Sequence, residues 1–135
     1  MIWNTGAEVK IDNCLFDNTY PFNCDAGTGK ITVTGCELNG WTSYTDTIES
    51  VSFTDCRFGK SSSGYACLVP YCKTVLKDCV FSSDFLVSPR GSNTFTIEFI
   101  NCKLDDGSPV SSAIMDTEPN NNKPTWIIDG VSYNY

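Results

Sequence analysis

The sequence predicts an all-β protein, a right-handed parallel β-helix solenoid of about six coils with a cysteine column stacked on its inside. Three observations lead there. Cysteines recur at Cys14, Cys36, Cys56, Cys79 and Cys102, separated by 22, 20, 23 and 23 residues. The same short apolar–polar phrase surrounds each of them. In every copy an Asn, Asp or Gly breaks the alternation just before the cysteine. A fixed period of this size marks a stack of repeats, none of which buries its apolar face alone.

The copies run Val9 to Phe16 (VKIDNCLF), Ile31 to Leu38 (ITVTGCEL), Val51 to Phe58 (VSFTDCRF), Thr74 to Phe81 (TVLKDCVF) and Ile97 to Leu104 (IEFINCKL). A sixth, degenerate copy spans Trp126 to Tyr133 (WIIDGVSY), with Val131 in the cysteine's place. Alternation with a period of two is the signature of a strand with one buried face. The breaking residues are Asn13, Gly35, Asp55, Asp78, Asn101 and Gly130, all of types that tolerate the left-handed conformation. One such residue between two short strands turns the chain while both apolar faces stay inward. A third strand per coil is expected around Phe22 and Cys24, Cys67 and Val69, Phe85 and Val87, and at Ile114. The Gly-, Ser-, Asn- and Pro-rich segments 25–29, 61–64, 88–93 and 118–124 absorb the differences in repeat length.

Rival architectures fit poorly. A leucine-rich repeat needs spaced leucines and a helical half-repeat, and a β-sandwich needs hairpin turns in place of a kink at a fixed offset from cysteine. The domain reading is residues 1–8 as a lead-in or the remnant of a preceding coil, and 9–135 as a single β-helix domain. The N-terminus lacks the basic and apolar regions of a signal peptide, so the chain reads either as complete and made in the cytoplasm, such as a virion component, or as a piece of something longer. No apolar run approaches the roughly 20 residues of a membrane-spanning helix.

Composition narrows the function classes. The net charge is −7, with nine basic residues scattered singly, a surface that repels phosphate backbones and argues against nucleic acid as a partner. Histidine is absent, which removes Ser-His and Cys-His catalysis, histidine acid–base chemistry and most zinc sites. No cofactor or metal is implied. The cysteine column reads as a reduced structural stack, because five residues cannot all pair and a stacked core suits a small hydrophobe. Cys67 and Cys72 read as core and turn residues rather than a redox pair. The Thr32, Thr34, Ser52 and Thr54 hydroxyls form a flat array that lysines and carboxylates interrupt, as on ordinary solvated strands. Glu37 and Arg57 fall on neighbouring rungs and are expected to pair. Gly27 to Lys30 lacks the first glycine and final hydroxyl of a phosphate loop and reads as a turn.

The recurring I-x-[ND]-C-x-F phrase resembles the right-handed β-helix proteins of the pectate-lyase-like superfamily, over about residues 9 to 135. The resemblance implies a fold shared by lyases and hydrolases of acidic polysaccharides, phage tailspikes and surface adhesins, so it selects no single function. Of the hydrolase motifs only the Asp-Asp is present, at Asp105 and Asp106, in a turn-like Gly-Ser-Pro context. The best lyase-like pair is Asp84 with Arg90. Both are weak, and the chain leans away from being an enzyme.

The candidate carbohydrate-binding residues are Tyr20, Trp41, Tyr44, Tyr65 and Tyr71, aromatics in equivalent variable parts of their coils. Asn18, Asn39 and Asp25 stand nearby as hydroxyl partners. The reading is therefore a non-catalytic β-helix module for carbohydrate binding or for surface or virion assembly, located outside the cell or in a virion. The alternatives are a minimal polysaccharide lyase or hydrolase and a purely structural spacer. Since a solenoid leaves open ends, a second copy or flanking domains are expected to cap it.

Overall fold

The structure is a computed structural model that describes residues 2–3, 8–20, 22–25, 27, 29–117 and 123–135, with only the backbone of 2, 3 and 25. It is a parallel β-solenoid. The strands are β1 (Ile2–Trp3), then β2 (Val9–Asp12), β3 (Leu15–Asp17) and β4 (Phe22–Asp25) in the first coil. The second coil holds β5 (Lys30–Thr34), β6 (Glu37–Asn39) and β7 (Trp41–Tyr44). The third has β8 (Ser50–Thr54), β9 (Arg57–Gly59) and β10 (Cys67–Val69), and the fourth β11 (Thr74–Lys77), β12 (Val80–Phe81) and β13 (Leu86–Val87). After these come β14 (Thr96–Ile100), β15 (Lys103–Leu104), a 3-10 turn at Ser112–Ile114, β16 (Thr125–Ile128) and β17 (Val131–Tyr133).

Each strand pairs in parallel with its counterpart one coil away, which gives three sheets. The first runs β2-β5-β8-β11-β14-β16, with β17 beyond; the second β3-β6-β9-β12-β15; the third β1-β4-β7-β10-β13. Four coils carry all three strands. A fifth has two, and its third side is a single bridge from Met115 to Val87. The expected six coils therefore become four full ones, and the physical reason lies in the sixth phrase. There Asp129 and Gly130 both have positive φ, 46° and 82°, and β17 turns back to pair antiparallel with β16. Two adjacent positive-φ residues make a tight hairpin turn, not a single kink. Gly130 is accordingly a hairpin residue, and Val131, in the cysteine's place, is 55% exposed.

At the other five positions the kink is as simple as one residue. Asn13, Gly35, Asp55, Asp78 and Asn101 have φ between 50° and 62°. Each of the first four sends its N–H to the next coil, as when Gly35 donates to the Thr54 carbonyl at 2.9 Å, while the Asn101 N–H donates to the Asp129 carboxylate at 2.7 Å. A Cβ at Gly35 would meet only the end of the exposed Asn13 side chain, at 2.7 Å, so the positive φ is what favours glycine there.

Alternation sorts side chains as a half-buried strand requires. On β5, Ile31 and Val33 are buried and the residues between face out; β8 and β14 repeat the pattern. Register stacks Ile11, Val33, Phe53, Leu76 and Phe99 in one column. Phenylalanines dominate the interior: Phe58 and Phe81 stack at 4.9 Å with planes 7° apart, and Phe81 meets Phe99 edge-on at 5.9 Å.

Cys14, Cys36, Cys56, Cys67, Cys72, Cys79 and Cys102 are free thiols. Cys36, Cys56, Cys79 and Cys102 are buried, and each places its sulfur near two backbone carbonyls. One carbonyl lies two residues back and the other in the preceding coil, as with Cys79 at 3.3 Å from Lys77 O and 3.7 Å from Phe53 O. Thiols here act as weak donors as well as small hydrophobes. Hydrogen bonding to the Cys102 and Cys56 sulfurs, together with burial, pushes the Cys79 thiol well up, so it stays protonated and inert. Cys14 departs from the inward column: it is exposed, because β2 and β3 are the edge strands of their sheets. The expected Glu37–Arg57 ion pair is not among those of the described residues; Glu37 instead accepts from the Asn39 amide at 2.8 Å.

One interior oxygen is out of place. Thr42 is fully buried on β7, in register with Phe22 and Leu68, and its hydroxyl is the one buried side-chain oxygen without a partner among the described residues. Thr42→Val keeps the branched shape and removes the unpaired hydroxyl. It should stabilise the protein by about 1 kcal/mol, read as a higher urea midpoint.

Candidate carbohydrate-binding surface

The corner where the chain passes from the second sheet to the third gathers three of the five predicted aromatics. Tyr20 follows β3, Trp41 opens β7, and Tyr65 ends the loop between β9 and β10. Their ring centroids lie 5.9 Å (Tyr20–Trp41), 5.8 Å (Tyr20–Tyr65) and 6.4 Å (Trp41–Tyr65) apart. Backbone ladders fix the corner, with Trp41 N–H donating to Thr19 O at 3.1 Å and Cys67 N–H to Gly40 O at 3.2 Å. The 60–66 loop folds back through Ser61 N–H to Tyr65 O and Gly64 N–H to Ser61 O, both 2.9 Å. Its Ser63 hydroxyl bonds Thr19 Oγ1 at 2.8 Å, linking the first and third coils across the second.

These rings are open to solvent: Tyr20 is 62% exposed, Tyr65 is 40% exposed and Trp41 is half-buried. The neighbouring Tyr65 hydroxyl, which also hydrogen-bonds Tyr20, raises the Tyr20 phenol above its usual value. The Tyr20 phenol therefore stays neutral at physiological pH. Leu86, 39% exposed, continues the patch, because register aligns it with Cys67 and Trp41 on the outer face of the third sheet.

The other two aromatics lie elsewhere. Tyr44 is 1% exposed, an interior residue and not a surface platform. Period two on β7 faces Trp41 and Ser43 outward and Thr42 and Tyr44 inward. Its hydroxyl donates to Thr74 Oγ1, which donates to Cys72 O at 2.9 Å, and burial raises its phenol well above the usual range. Tyr71 stands beyond the far end of the third sheet, half-buried against a groove.

Of the supporting polar residues, Asn18 Oδ1 accepts from the Thr19 N–H at 2.7 Å and the Asn39 amide donates to Glu37. The side chain of Asp25 lies outside the described residues, as does part of the 25–29 and 118–124 loops. The groups weighed for hydrolytic chemistry are tied into local structure. Asp84 is held by Lys60 at 2.9 Å and Ser82 at 2.9 Å, and these contacts lower its carboxyl below the usual value. Asp106 accepts from the Ser108 N–H and hydroxyl at 2.8 and 2.6 Å within a turn. Burial pushes the Cys67 thiol up to about 11 and, with the charge of Asp46, the Cys72 thiol to about 12, so neither is a nucleophilic thiolate near neutral pH. Among the described residues no three Cys, Asp or Glu side chains gather closely enough to hold a metal ion.

No protein-family model, curated protein or solved structure matches the chain. What is shown is a parallel β-solenoid architecture, and the function follows from the chain's own surface.

Proposed function

We propose that this chain is a non-catalytic β-solenoid module that binds carbohydrate, displayed on a cell surface or in a virion. The observation that carries the reading is the triad of Tyr20, Trp41 and Tyr65, three solvent-open rings held by three successive coils on one rigid corner. Aromatic faces are costly to leave in water and suit the flat apolar faces of sugar rings, while two phenolic hydroxyls at the patch supply polar contacts. Rigid rings lose little conformational entropy on binding. The net charge of −7 favours uncharged sugars over anionic polymers, which a cation would have to bridge.

Native affinity electrophoresis through gels containing neutral or acidic polysaccharide, with and without Ca²⁺, tests the reading. Retardation by a neutral polysaccharide is expected. Trp41→Ala should weaken that retardation about tenfold or more, the loss typical of an aromatic anchor, with an unchanged circular dichroism spectrum. Uniform migration in every gel would overturn the proposal and shift weight to an assembly role.

A further inference from the structure

The third sheet has a second edge, where the chain passes on to the first sheet, and that edge is a groove. One part of it, about 360 Å³, is lined by Asn23, Ser43, Thr45, Asp46 and Tyr71, with Tyr44 beneath. An adjoining part of about 480 Å³ includes Asp46, Glu49, Tyr71, Lys73 and Asn93. Asp46 and Tyr71 belong to both, so the two form one depression. Tyr71 is braced: Gly91 has a φ of +88°, and a Cβ there would meet the Tyr71 ring at 3.3 Å. The glycine backbone passes close to the ring, which stays half-exposed.

This groove and the aromatic corner are joined by the outer face of β7. Trp41 opens that strand, Ser43 is 9% exposed and lines the groove, and exposed Asn23 lies in register beside it. From Trp41 to Tyr44 the strand advances about 10 Å, more than a single sugar ring covers. Polar Ser43 and Asn23 thus bridge an aromatic platform at one end and an aromatic-walled groove at the other.

We propose that the carbohydrate site extends across the third sheet from Trp41 to Tyr71 and takes an uncharged oligosaccharide, whose hydroxyls donate to Asp46 in the groove. The inference rests on the carbohydrate-binding reading above. Carboxylates accept strong hydrogen bonds from hydroxyls and repel uronates. Glu49 pairs with Lys30 at 3.2 Å and Lys73 lines only the larger part of the groove, so in the part beside β7 Asp46 is the one charged lining residue.

The test is calorimetry on the full chain with cello-, xylo- and galacto-oligosaccharides from disaccharide to hexasaccharide, beside a galacturonate series. At least one uncharged series should bind, its affinity rising to a plateau with length. Tyr71→Ala should remove about tenfold at the plateau and leave the disaccharide unchanged. Asp46→Asn, a volume-conserving change that spares the fold, should lower the affinity for the uncharged series and narrow the preference over galacturonate. An unaltered length dependence in both variants, or tighter binding of galacturonate to the unmodified chain, would overturn the extended site. In those cases a loss on Trp41→Ala still leaves the aromatic corner as the binding site. No binding by any series overturns both readings.

Discussion

Replacing Phe81 with alanine should cost the fold about 3–5 kcal/mol, a large share of the roughly 5–15 kcal/mol that holds a domain of this kind together. Phe81 is fully buried on β12 in the fourth coil. It stacks on Phe58 at 4.9 Å and meets Phe85 at 5.7 Å and Phe99 at 5.9 Å. Truncation therefore removes its own burial and strips a ring partner from each neighbour, in sheets that hydrogen bonding holds at a fixed spacing and cannot collapse into the cavity. In a solenoid each coil is stabilised by its neighbours, so a cavity here weakens two interfaces. Leu104, one coil further on, is buried but 9% exposed against 0% for Phe81 and is the smaller side chain, so Leu104→Ala should cost less than Phe81→Ala. Urea unfolding followed by circular dichroism reads both. Equal costs at the two positions would contradict a core whose strength comes from neighbours on both sides.

That core was legible in the sequence because a solenoid writes the same instruction on every coil. Val, Ile, Leu and Phe at alternate positions, a tolerant residue, then cysteine, repeated at nearly constant spacing, leave little freedom in which face is buried. The sixth phrase shows where such reading fails. Trp126 to Tyr133 keeps the alternation and places a glycine at the kink, but an aspartate stands directly before it. Asn-Gly and Asp-Gly pairs between alternating strands are hairpin signals, and the missing cysteine removes the side chain that bridges to the preceding coil. Two adjacent residues able to take positive φ distinguish a reversal from a bend, and that difference was readable.

The candidate surface was legible in part. The similar offsets of Tyr20 and Trp41 from their strands follow from the repeat, so their approach in space did too. The arrival of Tyr65 depends on how the 60–66 loop turns on Gly64 and on its serine contacts to Thr19, details that no periodicity encodes. Tyr44 is the opposite case. The alternation of β7 already assigned it inward once Trp41 was taken as outward, and the presence of an aromatic ring outweighed that signal. Tyr71 and its groove follow Pro70, where the period of two stops and the loop supported by Gly91 decides the geometry.

The second large effect belongs to the kinks. Asp78 has a φ of 53°, and its carboxylate accepts from the Asn101 amide at 2.6 Å, joining kinks on neighbouring coils. Asp78→Val should cost about 2–3 kcal/mol: roughly 1–2 for a branched side chain in the left-handed region and about 1 for the lost hydrogen bond. Asp78→Gly separates the two contributions, since glycine takes the same φ without strain and loses only the bond, so it should cost about 1 kcal/mol. Asp78→Asn keeps both the conformation and an acceptor and should be nearly silent. The order Val, Gly, Asn in urea midpoint, lowest to highest, is the expected result. Valine and glycine variants of equal stability would mean that the kink tolerates any residue. The Asn and Asp at four of the five kinks would then owe their place to side-chain hydrogen bonding and not to backbone conformation.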